Sequence, residues 1–296
     1  MKFIRLLFYG DIFYGLCAVA LCIESNLQHG IDLNSFRFYI LVFLATIFYY
    51  GRIYYKSSTA IIDERSTWYQ QHRPGIKKTL LLICAIIVAD ILWMTFINRQ
   101  VLLRMNVYYW SLLFIIPVIG LMYTNKIFPT KKLRRVGWLK PFIIGFVWAG
   151  VVTIFPVLFW QIKHPAEHGP DLLLKTLLWL HNFLFISMLA VIFDLKDFEI
   201  DKKHYLNTYP ATYGITNTIK YAIIPLSVLS LATIIIINFI YQASFMQLII
   251  QSIPYVLLFA VIGSLSKKRN LLFYLAAVDG LMLLKAICGI VAVSFF

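Results

Sequence analysis

The sequence predicts an all-α polytopic membrane protein of nine transmembrane helices, and three observations carry that prediction. The chain is 61% hydrophobic with a mean hydropathy of +0.79 over its 296 residues, too apolar for a soluble domain whose polar surface must face water. Nine apolar stretches of roughly 17–25 residues can be marked, each long enough to cross about 30 Å of hydrocarbon as a helix. The net charge of +14 is sorted by side: with the N-terminus inside, 21 of the 27 Lys and Arg fall on the inner connections. That bias predicts an N-in, C-out orientation by the positive-inside rule. It also accounts for the basic charge without a nucleic-acid partner.

Each element has its own warrant. Stretch 5–24 is basic and then apolar like a secretory signal, but Asp11 interrupts it and eight more spans follow, so it is read as an uncleaved first helix. The next spans are expected at 37–55, 79–97, 107–124, 141–160 and 172–193, and the last three at 218–240, 247–265 and 271–296. The longest polar connections, near 56–78, 125–140 and 194–217, all fall on the inner side. The outer connections are short; in one of them His164 and His168 bracket Glu167, which the neighbouring Pro165, Gly169 and Pro170 mark as a solvated turn. No linker rich in Pro, Gly or Ser divides the chain, so residues 1–296 are expected to form a single domain. Cys17, Cys22, Cys84 and Cys288 lie inside spans without metal-ligand spacing and are expected to pack as small hydrophobes.

Four ionisable residues fall within spans: Asp11, Asp90, Asp279 and Lys285. A buried charge needs a partner, and interhelical pairing of Asp11 or Asp90 with Lys285 is the expectation.

The segment from 194 to 214, "DLKDFEIDKKHYLNTYPATYG", places three aspartates in a polar run at the end of the sixth span. On one helix the i, i+3 and i+7 positions of Asp194, Asp197 and Asp201 share a face. Spacing alone leaves two readings open. A hard divalent cation would relieve the crowded carboxylates, or Lys196, Lys202 and Lys203 would pair with them at a wet helix end. The position at a membrane border favours a functional site.

The string of Asp194, Asp197 and Asp201, followed by Thr208, Pro210 and Gly214, resembles the second aspartate-rich motif of the UbiA superfamily of intramembrane prenyltransferases. In "LMYTNKIFPTKKLRRVGWLKP", Tyr123 and the Lys132-Leu133-Arg134 triplet are similar to a further family feature. The resemblance implies nine helices around a lateral cavity with a cytoplasmic polar cap, in a bacterial inner membrane. It also implies an activity: transfer of a prenyl group from an isoprenoid diphosphate to an aromatic or other lipophilic acceptor. Mg²⁺ would be held by Asp194, Asp197 and Asp201, with Asp63 from the opposite loop. Arg52, Lys56, Lys132 and Arg134 would contact the diphosphate, and Tyr123 would face the developing allylic cation.

The first aspartate-rich motif of that family is eroded. Tyr55, Lys56 and Thr59 stand where Asn, Asp and Asp are expected, Asp63 alone keeps a carboxylate, and Arg52, Lys56 and Arg65 make that wall cationic. A catalytically inactive relative that binds a lipid or a partner is therefore the alternative expectation.

Overall fold

The computed structural model describes residues 2–56, 64–124, 137–203, 205–265 and 269–296. Fourteen helical segments and no strand occur among them. They are α1 (Lys2–Tyr9), α2 (Ile12–Gln28), α3 (Phe36–Lys56), α4 (Glu64–Gln71), α5 (Arg73–Ile97), α6 (Arg99–Arg104) and α7 (Val107–Thr124). After these come α8 (Gly137–Lys163), α9 (Leu172–Lys196), α10 (Phe198–Lys203), α11 (Tyr209–Tyr213), α12 (Ile215–Ile240), α13 (Phe245–Ser264) and α14 (Leu271–Phe295).

Among the described residues, seven of these helices are long and apolar enough to cross a membrane: α3, α5, α8, α9, α12, α13 and α14. The α1–α2 pair makes an eighth if its two parts count as one span, and the shorter apolar helix Val107–Tyr123 falls on the remaining expected stretch. The first stretch departs from its expected bounds. Its chain bends by 59° between Tyr9 and Ile12, and the membrane-length part runs on to Gln28. The reason is Asp11, which sits at the bend with φ 63°, fully buried, its carboxylate turned away from the apolar surroundings toward Arg65 of α4.

Helix α9 is the axis of the bundle. It packs on α8 and α12, while α14 packs on α2 and α13, and α3 joins α2 to α5. Its sequence explains the position: Leu178, Leu184, Ile186, Ser187 and Val191 are buried and lie on several sides of the helix, the pattern of a helix enclosed by others. Helix α5 is apolar all round and exposes Leu81, Leu92, Trp93 and Phe96. Such a surface suits hydrocarbon, not water. Three spans carry a π-turn, at Gly150–Ile154, Ile219–Ile223 and Tyr274–Val278, and the first two are followed within two residues by a proline, Pro156 and Pro225. Proline lacks the N–H that would continue the ladder, and its ring pushes back the preceding turn.

The charges inside the spans pair differently from expectation. Lys285 of α14 donates to Glu24 of α2, at 3.0 and 2.9 Å from its two carboxylate oxygens. Asp11 binds Arg65, and Asp90 binds Arg37. Neither aspartate partners Lys285, because Glu24 faces it directly from the neighbouring helix. Asp279 is buried beside Tyr14, with one carboxylate oxygen unpartnered.

Candidate active site

Asp194 lies in the last turn of α9 and is 1% exposed. Its Oδ1 accepts a 2.6 Å hydrogen bond from Lys140 Nζ, and its Oδ2 has no partner. Helix α9 stops at Lys196, and Asp197 breaks the chain direction with φ −94° and ψ 7° before α10 begins. The three aspartates therefore do not ride one continuous helix face as the spacing suggested. They remain neighbours across the break, each within electrostatic reach of the others. Asp197 is held by Lys196 at 3.0 Å, so one of the expected lysine pairings is present.

Asp201 is buried at the centre of the short helix α10. Burial raises its pKa above the ordinary carboxylate range, Lys140 and the Thr208 hydroxyl pull it back, and Asp197 adds to the rise. The residues after it build the turn into α12. Thr208 is buried, Pro210 fills the first turn of α11, and Gly214 takes φ 80°, a region that L side chains rarely adopt.

Lys140 was not among the residues expected at the site. It stands one turn into α8, and Gly137 positions that turn. A side chain at 137 would come within 2.6–2.7 Å of the Asn207 and Thr208 backbone, so only glycine lets the start of α8 abut the loop carrying Thr208. The signal in the sequence was a lysine opening an apolar helix in "GWLKP", where it passed as one more cation set by topology.

Tyr123, at the end of α7, lies within electrostatic reach of Lys140 and of Tyr49. Tyr49 donates to the Gly120 carbonyl at 3.1 Å and interacts with Arg52 one turn on. Arg52 on α3, Tyr49, Tyr123, Lys140 and the aspartates thus lie each within electrostatic reach of the next, and the expected residues Asp194, Asp197, Asp201, Tyr123 and Arg52 belong to one end of the bundle. Lys56 is exposed at the end of α3. Asp63, Lys132 and Arg134 lie outside the described residues.

Arg65 does not join them. It is 1% exposed, binds Asp11, donates to the Tyr9 carbonyl at 3.3 Å and stacks 3.8 Å from the ring centre of Tyr54. Tyr69 donates to the other oxygen of Asp11 at 2.7 Å, and Tyr9 donates to Glu64 at 2.7 Å. Its guanidinium is committed to holding α4 against the α1–α2 bend. Burial lowers the pKa of Arg65 to about 10 and raises that of Tyr69 to about 12.

Among the described residues no group of three His, Cys, Asp or Glu side chains converges on one point as a closed metal cage. Mg²⁺ does not require one, since it is commonly held by one or two carboxylates together with substrate phosphates and water. The unpartnered, buried Oδ2 of Asp194 and the crowded charge of Asp197 and Asp201 are the donor set such an ion fits. A cleft of about 500 Å³ opens elsewhere, walled by Gln28, Asn238, Tyr241, Gln247 and Gln251. It touches α9 at Leu174 and Leu178, the nearer about 24 Å along the helix from Asp194. Its neutral amides offer no counterpart to the charged end.

Fold and site together define a polytopic membrane protein with an acidic, lysine-bridged site at one end of its helical bundle. Its fold is similar to that of two solved membrane proteins. A solved structure titled as the apo form of a UbiA homolog from Aeropyrum pernix K1 superposes with a TM-score of 0.62 at 16% identity, covering 94% of this chain and 96% of that one. A second, described as digeranylgeranylglyceryl phosphate synthase in membranes, gives 0.56 at 18% identity over 97% and 96%. No protein-family model matches the sequence, and no curated protein matches it. The resemblance read from residues 194–214 is thus matched at the level of fold along nearly the whole chain.

Proposed function

We propose that the chain, acting as the single domain 1–296, is an integral-membrane prenyltransferase that moves a prenyl group from an isoprenoid diphosphate to an aromatic or other lipophilic acceptor. The observation that carries the proposal is the contact of Lys140 with Asp194, beside Asp197 and Asp201 and with Tyr123 and Arg52 at the same end of a UbiA-type bundle. On this reading that end faces the cytoplasm, which the Lys and Arg bias supports, and the membrane is a bacterial inner membrane.

Asp194, Asp201 and Asp197 would hold Mg²⁺, with Asp63 a further expected ligand; when bound, the ion supplies electrophilic stabilisation of the departing diphosphate. Lys140 and Arg52 balance the remaining phosphate charge, joined by Lys56, Lys132 and Arg134 in the expected set. The prenyl tail lies among apolar side chains of the spans. As the allylic C–O bond lengthens, the ring of Tyr123 stabilises positive character on carbon. The acceptor then attacks that carbon, forming the new bond as diphosphate leaves.

A specific observation also supports the second reading, a lipid- or partner-binding protein without turnover: Tyr55, Lys56 and Thr59 replace the polar residues of the first motif. The test incubates membranes containing the protein with labelled prenyl diphosphates and candidate acceptors. Metal-dependent diphosphate release that Asp194→Ala or Asp197→Ala abolishes supports transfer. Release indifferent to both substitutions rejects it, and thermal stabilisation by a prenyl diphosphate without any release supports the second reading.

A further inference from the structure

Among the described residues, Lys140 is the cation in contact with the buried carboxylate at the centre of the site. Asp194 is 1% exposed, and its single hydrogen bond is to Lys140. A buried carboxylate without a counter-ion is strongly unfavourable, so the metal-free protein needs this ammonium where it stands. The same ammonium also obstructs a divalent ion at Asp194, because two cations cannot share so short a contact without repulsion. The lysine is free to yield: its side chain is 38% exposed, whereas Asp194 is not. Tyr123, Asp197 and Asp201 are also within its electrostatic reach.

We propose that Lys140 is a resident counter-ion that a divalent cation displaces from Asp194, and that the released ammonium then binds an oxygen of the incoming diphosphate. This rests on the prenyltransferase reading for its second half only. The metal half concerns Lys140 and Asp194 alone. On this account the protein binds metal weakly when empty and tightly with diphosphate present, because the phosphate gives Lys140 a new partner. The coupling is reciprocal, as linkage requires.

The test follows Mn²⁺ binding by electron paramagnetic resonance on the full chain in detergent. Lys140→Gln is expected to bind Mn²⁺ about tenfold tighter than the parent, and Lys140→Arg to stay as weak as the parent. Inorganic diphosphate should tighten Mn²⁺ binding in the parent and lose that effect in Lys140→Gln. Mass-spectrometric labelling of Lys140 in the parent with an amine acylating reagent should accelerate when Mn²⁺ is added, which needs no substitution and so no assumption about folding of a variant. Unchanged or weaker Mn²⁺ binding by a folded Lys140→Gln, or labelling unaffected by saturating Mn²⁺, overturns the proposal and leaves the prenyltransferase reading intact. Mn²⁺ binding undiminished by Asp194→Asn removes both this proposal and the metal assignment.

Discussion

Lys285 and Glu24, 261 positions apart in the chain, form a buried ion pair between α14 and α2 with both carboxylate oxygens within 3.0 Å of the ammonium. Gln28 adds a 3.2 Å hydrogen bond to the same carboxylate. Removing one partner leaves an uncompensated charge in an apolar interior, which costs about 3–5 kcal/mol. Lys285→Met is therefore expected to lower the melting temperature sharply in detergent. The double change Glu24→Met with Lys285→Met should recover most of that loss, since replacing a whole buried pair by apolar groups is often neutral. Additive losses in the double variant would show that the two residues do not act as a pair.

Arg65 offers a contrast between structural and substrate-binding roles. Its planar fork reaches Asp11 and the Tyr9 carbonyl while its face lies on Tyr54, a geometry that an ammonium cannot reproduce. Arg65→Lys should lower the melting temperature by a margin matching about 2–4 kcal/mol. In the folded variant, KM for a prenyl diphosphate in the proposed transfer should stay within about twofold of the parent. A large rise in KM with unchanged stability would return Arg65 to the diphosphate wall where the sequence placed it.

Much of this architecture was legible before any coordinates. Seven of the nine expected spans fall on helices of membrane length, because a run of some twenty apolar residues has few other solutions in a bilayer. The motif from Asp194 to Gly214 was legible because its chemistry is local: acids, a threonine, a proline and a glycine at φ 80° along one short stretch. What could not be read was pairing at a distance. Lys140 reaches Asp194 across 54 positions and Lys285 reaches Glu24 across 261, and nothing in a single sequence distinguishes such a lysine from one that merely sets topology. The bend at Asp11 was hidden for the same reason, since its cause is Arg65 on another helix.

His29 gives the protein a pH dependence. It follows α2, is 6% exposed, and its Nδ1 meets the Ser25 carbonyl at 2.7 Å while its Nε2 has no partner. Burial lowers its pKa from 6.5 to about 4. The unfolded chain therefore binds a proton that the folded chain refuses, and stability present above pH 6.5 is lost as pH falls toward 4. At pH 5 the loss is about 2 kcal/mol. Melting temperatures measured at pH 7 and pH 5 should separate further in the parent than in His29→Gln; an equal drop in both would remove His29 as a cause.

Gly137 ties the backbone to the chemistry. A methyl group there would lie 2.6 Å from the Asn207 carbonyl carbon and 2.7 Å from Thr208 N. Both are backbone atoms that cannot rotate aside, so Gly137→Ala must move the start of α8 away from the loop. That motion carries Lys140 off Asp194 and Thr208 off Asp201, while the helices that build the core keep their contacts. Misplacement on this scale costs up to about a hundredfold in rate when positioning matters. Gly137→Ala is expected to lower kcat/KM for metal-dependent diphosphate release by roughly ten- to a hundredfold, with a much smaller effect on melting temperature. Gly75→Ala is the control: no atom lies within 4 Å of its added methyl, and alanine favours the helix by about 0.5–1 kcal/mol. Full activity in Gly137→Ala would mean that the distance between Lys140 and Asp194 does not govern catalysis, and would shift the search for the productive cation toward Arg52 on α3.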